Sequence, residues 1–147
     1  MTDEVAVTIT RQDKYRFLVD FGPDIANAVV DEPAPLGDGS GPSPSQLLAA
    51  AVGNCLSASF LLASAKFKED PGRLTTTATC RTGRNENNRL RVTGIEVGIK
   101  LGVKPGSLGY LERALAQFED FCTVSQSVRA GIPFTVTVRG PDGRVLK

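Results

Sequence analysis

The three cysteines are the side chains of this 147-residue chain best suited to covalent chemistry: Cys55, Cys80 and Cys122. A cysteine thiolate is a nucleophile, and it can be oxidised reversibly to a sulfenic acid or a disulfide. Three cysteines so widely spaced, with no C-x-x-C pair, do not make a disulfide scaffold. The simplest interpretation of each is a small buried hydrophobe. The elements that hold each cysteine therefore decide between packing and reactivity.

The chain contains no histidine, which excludes several kinds of site. Neither a Ser–His–Asp triad nor a Cys–His pair nor a histidine-ligated metal can be built from it. No G-x-x-x-x-G-K-[ST] phosphate loop occurs, and the glycines at 37–41 lack the preceding strand of a dinucleotide-binding pattern. A formal net charge of +1 gives no reason to expect nucleic acid or an anionic membrane as a partner. We therefore predict no bound cofactor and no metal, and neither nucleic acid nor membrane as a partner.

The overall composition is that of a soluble globular protein, with 41% hydrophobic and 22% charged residues. A length of 147 residues fits one domain spanning 1–147. The first ten residues are acidic and alternate in polarity without an apolar signal core, so secretion is not predicted. We expect a cytoplasmic protein whose thiols rest in the reduced state.

Cys55 lies in a stretch, residues 41–67, that predicts one long helix. Ser43 fits the N-cap, and Gln46 three residues later completes a capping box. No charged side chain occurs between positions 47 and 65, so the helix must be surrounded by protein or by lipid. Interspersed polar residues, many alanines and strand-like flanks favour protein. The small residues at 49–53 predict that another element packs very closely against the helix.

The positions of Cys55 and Cys122 within their helices predict different environments. Cys55 lies about three turns into its helix, beyond the reach of the helix dipole, so a stable thiolate there needs a cation from elsewhere. Cys122 begins a predicted short helix that runs to Arg129 and is closed by Gly131 and Pro133. Unpaired N–H groups at a helix start favour a thiolate. Cys122 is therefore predicted to be the more acidic of these two thiols.

The predicted hairpin that carries Cys80 has a bland interpretation. Cys80 shares one face of a threonine-rich strand with Leu74, Thr76 and Ala78, so we predict that it packs as a core residue. Four arginines cluster around the turn that follows, at positions 81, 84, 89 and 91. A nucleic-acid surface would need more net positive charge and interleaved aromatic residues. A solvated hairpin end is favoured over an RNA-associated function, which is kept as a minor alternative.

The remaining pattern predicts an α+β fold with antiparallel sheets and segregated helices. Alternating residues predict a first hairpin, from Val5–Ile9 and Tyr15–Phe21, with a weaker third strand over Ile25–Val30. A turn at residues 82–88 precedes a strand, Leu90–Leu101, whose inward parity switches near Gly94 and predicts a bulge there. A second helix follows, with Ser107 as its cap and an apolar stripe of Leu108, Leu111, Leu115 and Phe118. A last strand is predicted over Phe134, Val136 and Val138.

Two motifs around the cysteines resemble those of the OsmC/Ohr family. Residues 41–50, GPSPSQLLAA, with 53–57, GNCLS, resemble its central-helix motif. Residues 121–127, FCTVSQS, with 131–133, GIP, resemble its second-cysteine motif. The resemblance covers nearly the whole chain. It implies an OsmC-like fold in which antiparallel sheets pack around long central helices in an intertwined homodimer, with active sites at the interface.

The resemblance also implies an activity, the reduction of organic and possibly inorganic hydroperoxides. Cys55 would attack the peroxide oxygen and become a sulfenic acid, and Cys122 would condense with it to a disulfide. An external dithiol, of lipoyl type in the Ohr branch, would restore both thiols. The activating arginine of the family comes from the first hairpin, where Arg11 is nearest to the expected place and Arg16 is second.

The chain departs from the family pattern at three positions. Ohr-type members have a glutamate ten residues before the first cysteine, where this chain has Ser45. Another branch has the glutamate one residue later, where this chain has Gln46. Thr123 replaces the usual proline after the second cysteine. The lost glutamate leaves a second function open, a non-catalytic protein that binds a small apolar ligand at the dimer interface. The preferred peroxide and the physiological reductant stay open as well.

Overall fold

The protein is described by a computed structural model of residues 3–132 and 134–147. Its elements form an α+β fold with two antiparallel sheets and one long helix, as predicted. In chain order they are β1 Thr8–Asp13, β2 Arg16–Asp20, β3 Ala28–Val30, α1 Pro44–Ala65, β4 Thr75–Arg84, β5 Leu90–Lys100, a 3-10 turn Pro105–Ser107, α2 Leu111–Gln117 and α3 Thr123–Ala130.

The long helix α1 begins at the predicted capping box. The Ser43 hydroxyl accepts a hydrogen bond from the Gln46 N–H at 3.3 Å, and the Gln46 side-chain oxygen accepts from the Ser43 N–H at 2.9 Å. By length and composition alone α1 could cross a membrane, because its most apolar window has a mean hydropathy of 1.7. In the structure it packs against β4, β5, α2 and α3. One flank of α1 stays uncovered in the single chain, where Leu61 and Leu62 are exposed.

The predicted close approach to the small residues of α1 is confirmed. A Cβ atom built on Gly53 would lie 3.1 Å from the Cβ of Ala78 on β4. One helical turn later, the hydroxyls of Ser57 and Thr76 are 2.6 Å apart and share a hydrogen bond. Glycine at position 53 therefore lets the helix lie almost directly on the strand.

The core consists of two clusters along α1. Near its middle, Val52 and Leu56 pack with Cys122. Near its end, Phe60 and Ala63 pack with Ala114 of α2. The ring of Phe60 meets that of Phe118 edge-on at 5.3 Å, an attractive geometry for an aromatic pair. The Ser59 hydroxyl donates to the Phe118 carbonyl, which ties the end of α2 to α1.

The first hairpin is confirmed, but two of its boundaries were predicted wrongly. β1 begins at Thr8 rather than Val5, because β2 ends at Asp20, the register partner of Thr8, and Val5 has no strand beside it. β3 comprises only Ala28–Val30 instead of starting at Ile25. The loop that follows is organised by buried Asp31. Its carboxylate accepts from the N–H groups of Glu32, Asp38 and Ser40 and from the Ser40 hydroxyl.

The second hairpin contains the predicted bulge. Arg81 pairs with Gly94 and Thr82 with Val92, so Thr93 is the extra residue that shifts the register. The predicted turn was too long at its beginning. β4 continues to Arg84, which pairs with Leu90, because the bulge restores the ladder beyond Gly94.

Two predictions in the C-terminal third are wrong. Ser107 lies in the 3-10 turn, where its hydroxyl donates to the Lys104 carbonyl, and α2 begins only at Leu111 with Tyr110 as N-cap. The predicted last strand is not formed over residues 134–138 of the described chain, and Phe134 is 84% exposed. A strand needs the backbone of a neighbour, and no sheet edge of the described chain pairs with this segment. Pro133, predicted to follow the third helix, lies outside the described residues.

Candidate active site

The start of α3 brings Cys122 against the middle of α1. Cys122 is the N-cap residue of α3 and is 1% exposed, packed between Val52 and Leu56. Cys55 is half-buried beside it, and its sulfur accepts a hydrogen bond from the Val124 N–H at 3.5 Å. The two thiols are free and lie within hydrogen-bonding reach of each other. Two sulfurs far apart along the chain thus meet where α3 packs on α1.

The local groups lower the pKa of Cys122, as its position at the helix start predicts. Burial raises the pKa of this thiol. Hydrogen bonds from the Ser125 hydroxyl, the Cys55 thiol and the N–H groups of Ser125 and Val124 outweigh that effect and lower it. These donors favour the thiolate because they point at the charged form.

The pKa of Cys55 moves in the opposite direction. Burial raises it most, and the hydrogen bond and the charge of Cys122 raise it further. The N–H groups of Val124 and Thr123 offset these effects only in part. The pair therefore holds one proton mainly on Cys55, while Cys122 carries the negative charge, and the two thiols titrate as one unit.

Ser125 is the member of this site that the sequence did not predict. It lies at the N3 position of α3, is 7% exposed, and its hydroxyl oxygen has no hydrogen-bond partner of ordinary geometry among the described residues. That hydroxyl is close enough to the Cys122 sulfur to lower its pKa. The available signal was the spacing, because a side chain at N3 lies beside the N-cap residue.

A cavity of about 420 Å³ opens next to the thiol pair. Ser125 lines it together with Val52 and Leu56, the residues that pack on Cys122. The other walls are apolar and come mainly from β5, with Glu119 and Arg129 on the rim as an ion pair at 3.7 Å. The cavity offers an apolar volume that ends at one polar hydroxyl beside the sulfurs.

The predicted activating arginine is not near the thiols within one chain. Arg11 lies on β1, is exposed, and its Nε donates to the Lys14 carbonyl at 2.8 Å. Within the described residues, no guanidinium is among the groups that shift the pKa of Cys55. Arg16, the second candidate, has its Nε buried without a hydrogen-bond partner in the described part of the chain.

The remaining sequence candidates have structural roles in this chain. Gln46 is occupied by the capping box. Cys80 is half-buried on the face of β4 that carries Thr76 and Ala78, apart from the thiol pair. Across residues 3–132 and 134–147, no three His, Cys, Asp or Glu side chains are grouped as metal ligands would be.

Similarity to known proteins agrees with this geometry. No functionally curated protein matches the chain significantly. The fold is similar to an OsmC-like protein of unknown function from Vibrio cholerae, at 19% identity over 86% of this chain and 94% of that one, with a TM-score of 0.69. It is also similar to the organic hydroperoxide resistance protein OhrB of Bacillus subtilis, at 13% identity over 88% and 93%, with a TM-score of 0.66.

A third structure of the same fold is an organic hydroperoxide resistance protein from Elizabethkingia anophelis. It is 23% identical over 89% of this chain and 93% of that one, with a TM-score of 0.60. At these identities the structures establish the fold. The model of the family described as OsmC-like protein matches residues 37–137, more than half of the chain and a range that contains both Cys55 and Cys122. The chain therefore belongs to the OsmC-like family.

Proposed function

We propose that this protein is a thiol-dependent peroxidase that reduces hydroperoxides through Cys55 and Cys122. The observation that carries the proposal is the contact between these two thiols beside an apolar cavity, with hydrogen-bond donors gathered at one sulfur. Solved proteins named for organic hydroperoxide resistance share the fold, which supports the same class of substrate. The chemistry needs two thiols and no bound cofactor.

Cys55 is the sulfur that attacks, because it is half-buried whereas Cys122 is 1% exposed. The Cys55 thiolate attacks the outer peroxide oxygen, the O–O bond breaks, and the alkoxide leaves and is protonated to an alcohol. Cys55 is then a sulfenic acid. The Cys122 thiolate attacks that sulfur, a disulfide forms, and the released hydroxide takes a proton to become water. An external dithiol, possibly of lipoyl type, supplies two electrons by thiol–disulfide exchange and restores both thiols.

A homodimer would complete this site. Leu61 and Leu62 of α1 are exposed, as are Phe134 and Val136 of the segment predicted to be a strand. A second copy that paired with this segment and covered α1 would bury these side chains. It would also bring a first hairpin to the thiols, so that Arg11 or Arg16 could supply the cation that Cys55 lacks in one chain. Leu62→Glu should then shift the protein from dimer to monomer in analytical ultracentrifugation. An unchanged sedimentation coefficient would contradict this interface.

The activity is tested by the consumption of cumene hydroperoxide with dihydrolipoamide or dithiothreitol as reductant. The wild type should turn over, Cys55→Ser should not, and Cys122→Ser should leave a sulfenic acid that dimedone traps. Cys80→Ser is the matched control, because Cys80 lies apart from the pair, and it should keep wild-type turnover. Equal rates for the wild type and Cys55→Ser would rule the enzyme out.

The second candidate is a non-catalytic protein that binds a small apolar ligand near the dimer interface. The raised pKa of Cys55 and the replacement of the family glutamate by Ser45 and Gln46 favour it. The discriminating measurement is the alkylation rate of Cys55 against pH in the native dimeric protein. Reactivity that rises only around an ordinary thiol pKa of about 8.5 would favour binding, and reactivity at clearly lower pH would favour catalysis. A cytoplasmic location, where dithiol reductants abound, stays a prediction.

A further inference from the structure

We propose that Ser125 is a positioning residue for the thiol pair, whose hydroxyl donates to the Cys122 sulfur and keeps it ready to close the disulfide. This inference rests on the proposed peroxidase function and assigns a role in its second step. Ser125 does not touch the peroxide in this scheme. It acts through Cys122, the sulfur that attacks the Cys55 sulfenic acid.

The first observation is the burial of an unpartnered hydroxyl. Ser125 is 7% exposed, and its oxygen has no hydrogen-bond partner of ordinary geometry among the described residues. A buried hydroxyl without a partner costs about 1–3 kcal/mol, so such groups are rare unless something else uses them. The neighbouring Ser127 shows the ordinary alternative, because its hydroxyl donates to the Thr123 carbonyl at 2.7 Å. Ser125 makes no such bond back to its helix, so its proton remains available to the Cys122 sulfur beside it.

The second observation is the contrast between charge and access at the two sulfurs. The donors gathered at Cys122 favour its thiolate, yet this residue is 1% exposed. A buried thiolate is poorly placed for an incoming peroxide. It is well placed for a sulfenic acid that forms on Cys55, which already packs against it. The arrangement therefore suits the closing step rather than the first attack.

Few other charges act on Cys122. From α1 the facing titratable group is Cys55. From the segment after α2 and from α3, Glu119 and Arg129 lie on the cavity rim and pair with each other at 3.7 Å. β5 presents apolar side chains to the cavity, and its Glu96 pairs instead with Arg81, at 2.6 Å. The Ser125 hydroxyl and the helix N–H groups are thus the main local stabilisation of the thiolate.

The reaction step is balanced as a condensation. The Cys122 thiolate attacks the sulfur of the Cys55 sulfenic acid, the S–O bond breaks, and hydroxide leaves as the S–S bond forms. The hydroxide takes one proton and becomes water. The Ser125 proton stays on its oxygen throughout and moves its hydrogen bond from the charged to the bonded sulfur. The two electrons that reduced the peroxide in the first step come from Cys55, and closure adds no further oxidant.

The test compares Ser125→Ala with Ser127→Ala, a change on the same helix that removes a hydroxyl bonded elsewhere. After one equivalent of peroxide, Ser125→Ala should close the disulfide about tenfold more slowly at neutral pH, because a hydrogen bond to a charged group is worth on the order of tenfold in an equilibrium constant. Dimedone should trap correspondingly more Cys55 sulfenic acid. The difference should vanish at high pH, where Cys122 ionises unaided. Ser125→Thr, which keeps the hydroxyl, should restore closure, and Ser127→Ala should behave as wild type.

A second readout does not require peroxide turnover. In protein carrying Cys55→Ser and Cys80→Ser, Cys122 is the one remaining thiol, and its thiolate is followed by ultraviolet absorbance during a pH titration. Adding Ser125→Ala should move the midpoint to higher pH, and adding Ser127→Ala should not. If turnover is absent but the midpoint still moves, the peroxidase proposal fails while the hydrogen bond stands. An unmoved midpoint together with wild-type closure in Ser125→Ala would overturn the role of Ser125.

Discussion

The contact between Gly53 and Ala78 allows the packing that positions Cys55 to be tested quantitatively. On helix propensity alone, Gly53→Ala should stabilise the protein by about 1 kcal/mol. The added Cβ, however, would lie 3.1 Å from the Ala78 Cβ, whereas carbon atoms prefer about 3.5–4.0 Å. Relieving this contact moves α1 off β4 by a few tenths of an ångström, and overpacking of this kind costs about 1–3 kcal/mol. We expect Gly53→Ala to destabilise the protein by about 0–2 kcal/mol.

The sign should reverse once the opposing methyl group is removed. In an Ala78→Gly background the Cβ at position 53 meets only the Thr76 methyl at 3.6 Å, an ordinary contact. Gly53→Ala should then stabilise the protein by about 1 kcal/mol, which gives a coupling energy of about 1–3 kcal/mol between the two sites. Urea denaturation of all four proteins measures it. Exposed Ala50 supplies the control, because Ala50→Gly should cost about 1 kcal/mol in either background.

The same four proteins test whether this packing matters for the chemistry. Gly53 precedes Cys55 by two residues, so a shift of α1 away from β4 moves Cys55 relative to α3. Disulfide closure should slow in the Gly53→Ala protein and recover in the double variant. An effect of Gly53→Ala on stability that is equal in both backgrounds, within about 0.3 kcal/mol, would refute the steric reasoning.

Three further substitutions probe the core and the loop that leads into α1. Phe60→Ala should cost about 3–5 kcal/mol in urea denaturation, because this ring is 2% exposed and packs edge-on against Phe118; a cost below about 1 kcal/mol would mean that the site collapses. Ser59→Ala should cost about 1–3 kcal/mol, since it removes the donor to the Phe118 carbonyl, whereas Ser59→Thr should cost less. Hydrogen bonds from the N–H and then the hydroxyl of Ser40 hold the pKa of Asp31 below its ordinary 3.8, so its contribution is present above that pH and is lost as pH falls through the lower native value. The melting temperature of Asp31→Asn should therefore lie below that of the wild type at neutral pH and approach it in acid, and a constant gap would contradict the assignment.

The features that the sequence predicted are those that neighbouring residues determine. The capping box depends on residues three apart, so Ser43 and Gln46 were sufficient to locate the start of α1. The bulge at Thr93 was visible because the inward parity of β5 switches there and a pleated strand alternates strictly. The start of α3 at Cys122 was likewise local.

The features that the sequence did not predict depend on partners distant in the chain. β1 is shorter than its alternating residues suggest, because the length of β2 limits the ladder. Residues 134–138 alternate as a strand does, yet pairing requires an edge that the described chain does not offer them. Ser125 escaped notice for a related reason. Its importance arises only when α3 packs Cys122 against Cys55, and serine at N3 of a helix is otherwise unremarked.

The acidity of the two thiols also shows why helix position alone does not identify the attacking sulfur. The N–H groups at the start of α3 serve both sulfurs, since Val124 donates to Cys55 while Ser125 acts on Cys122. A negative charge on one sulfur opposes ionisation of the other, so a single chain can hold one thiolate cheaply but not two. For Cys55 to attack, either a cation must arrive at the pair or the proton on Cys55 must pass to Cys122. Both routes leave the helix start stabilising Cys122, and for that reason the more acidic thiol and the attacking thiol need not be the same residue.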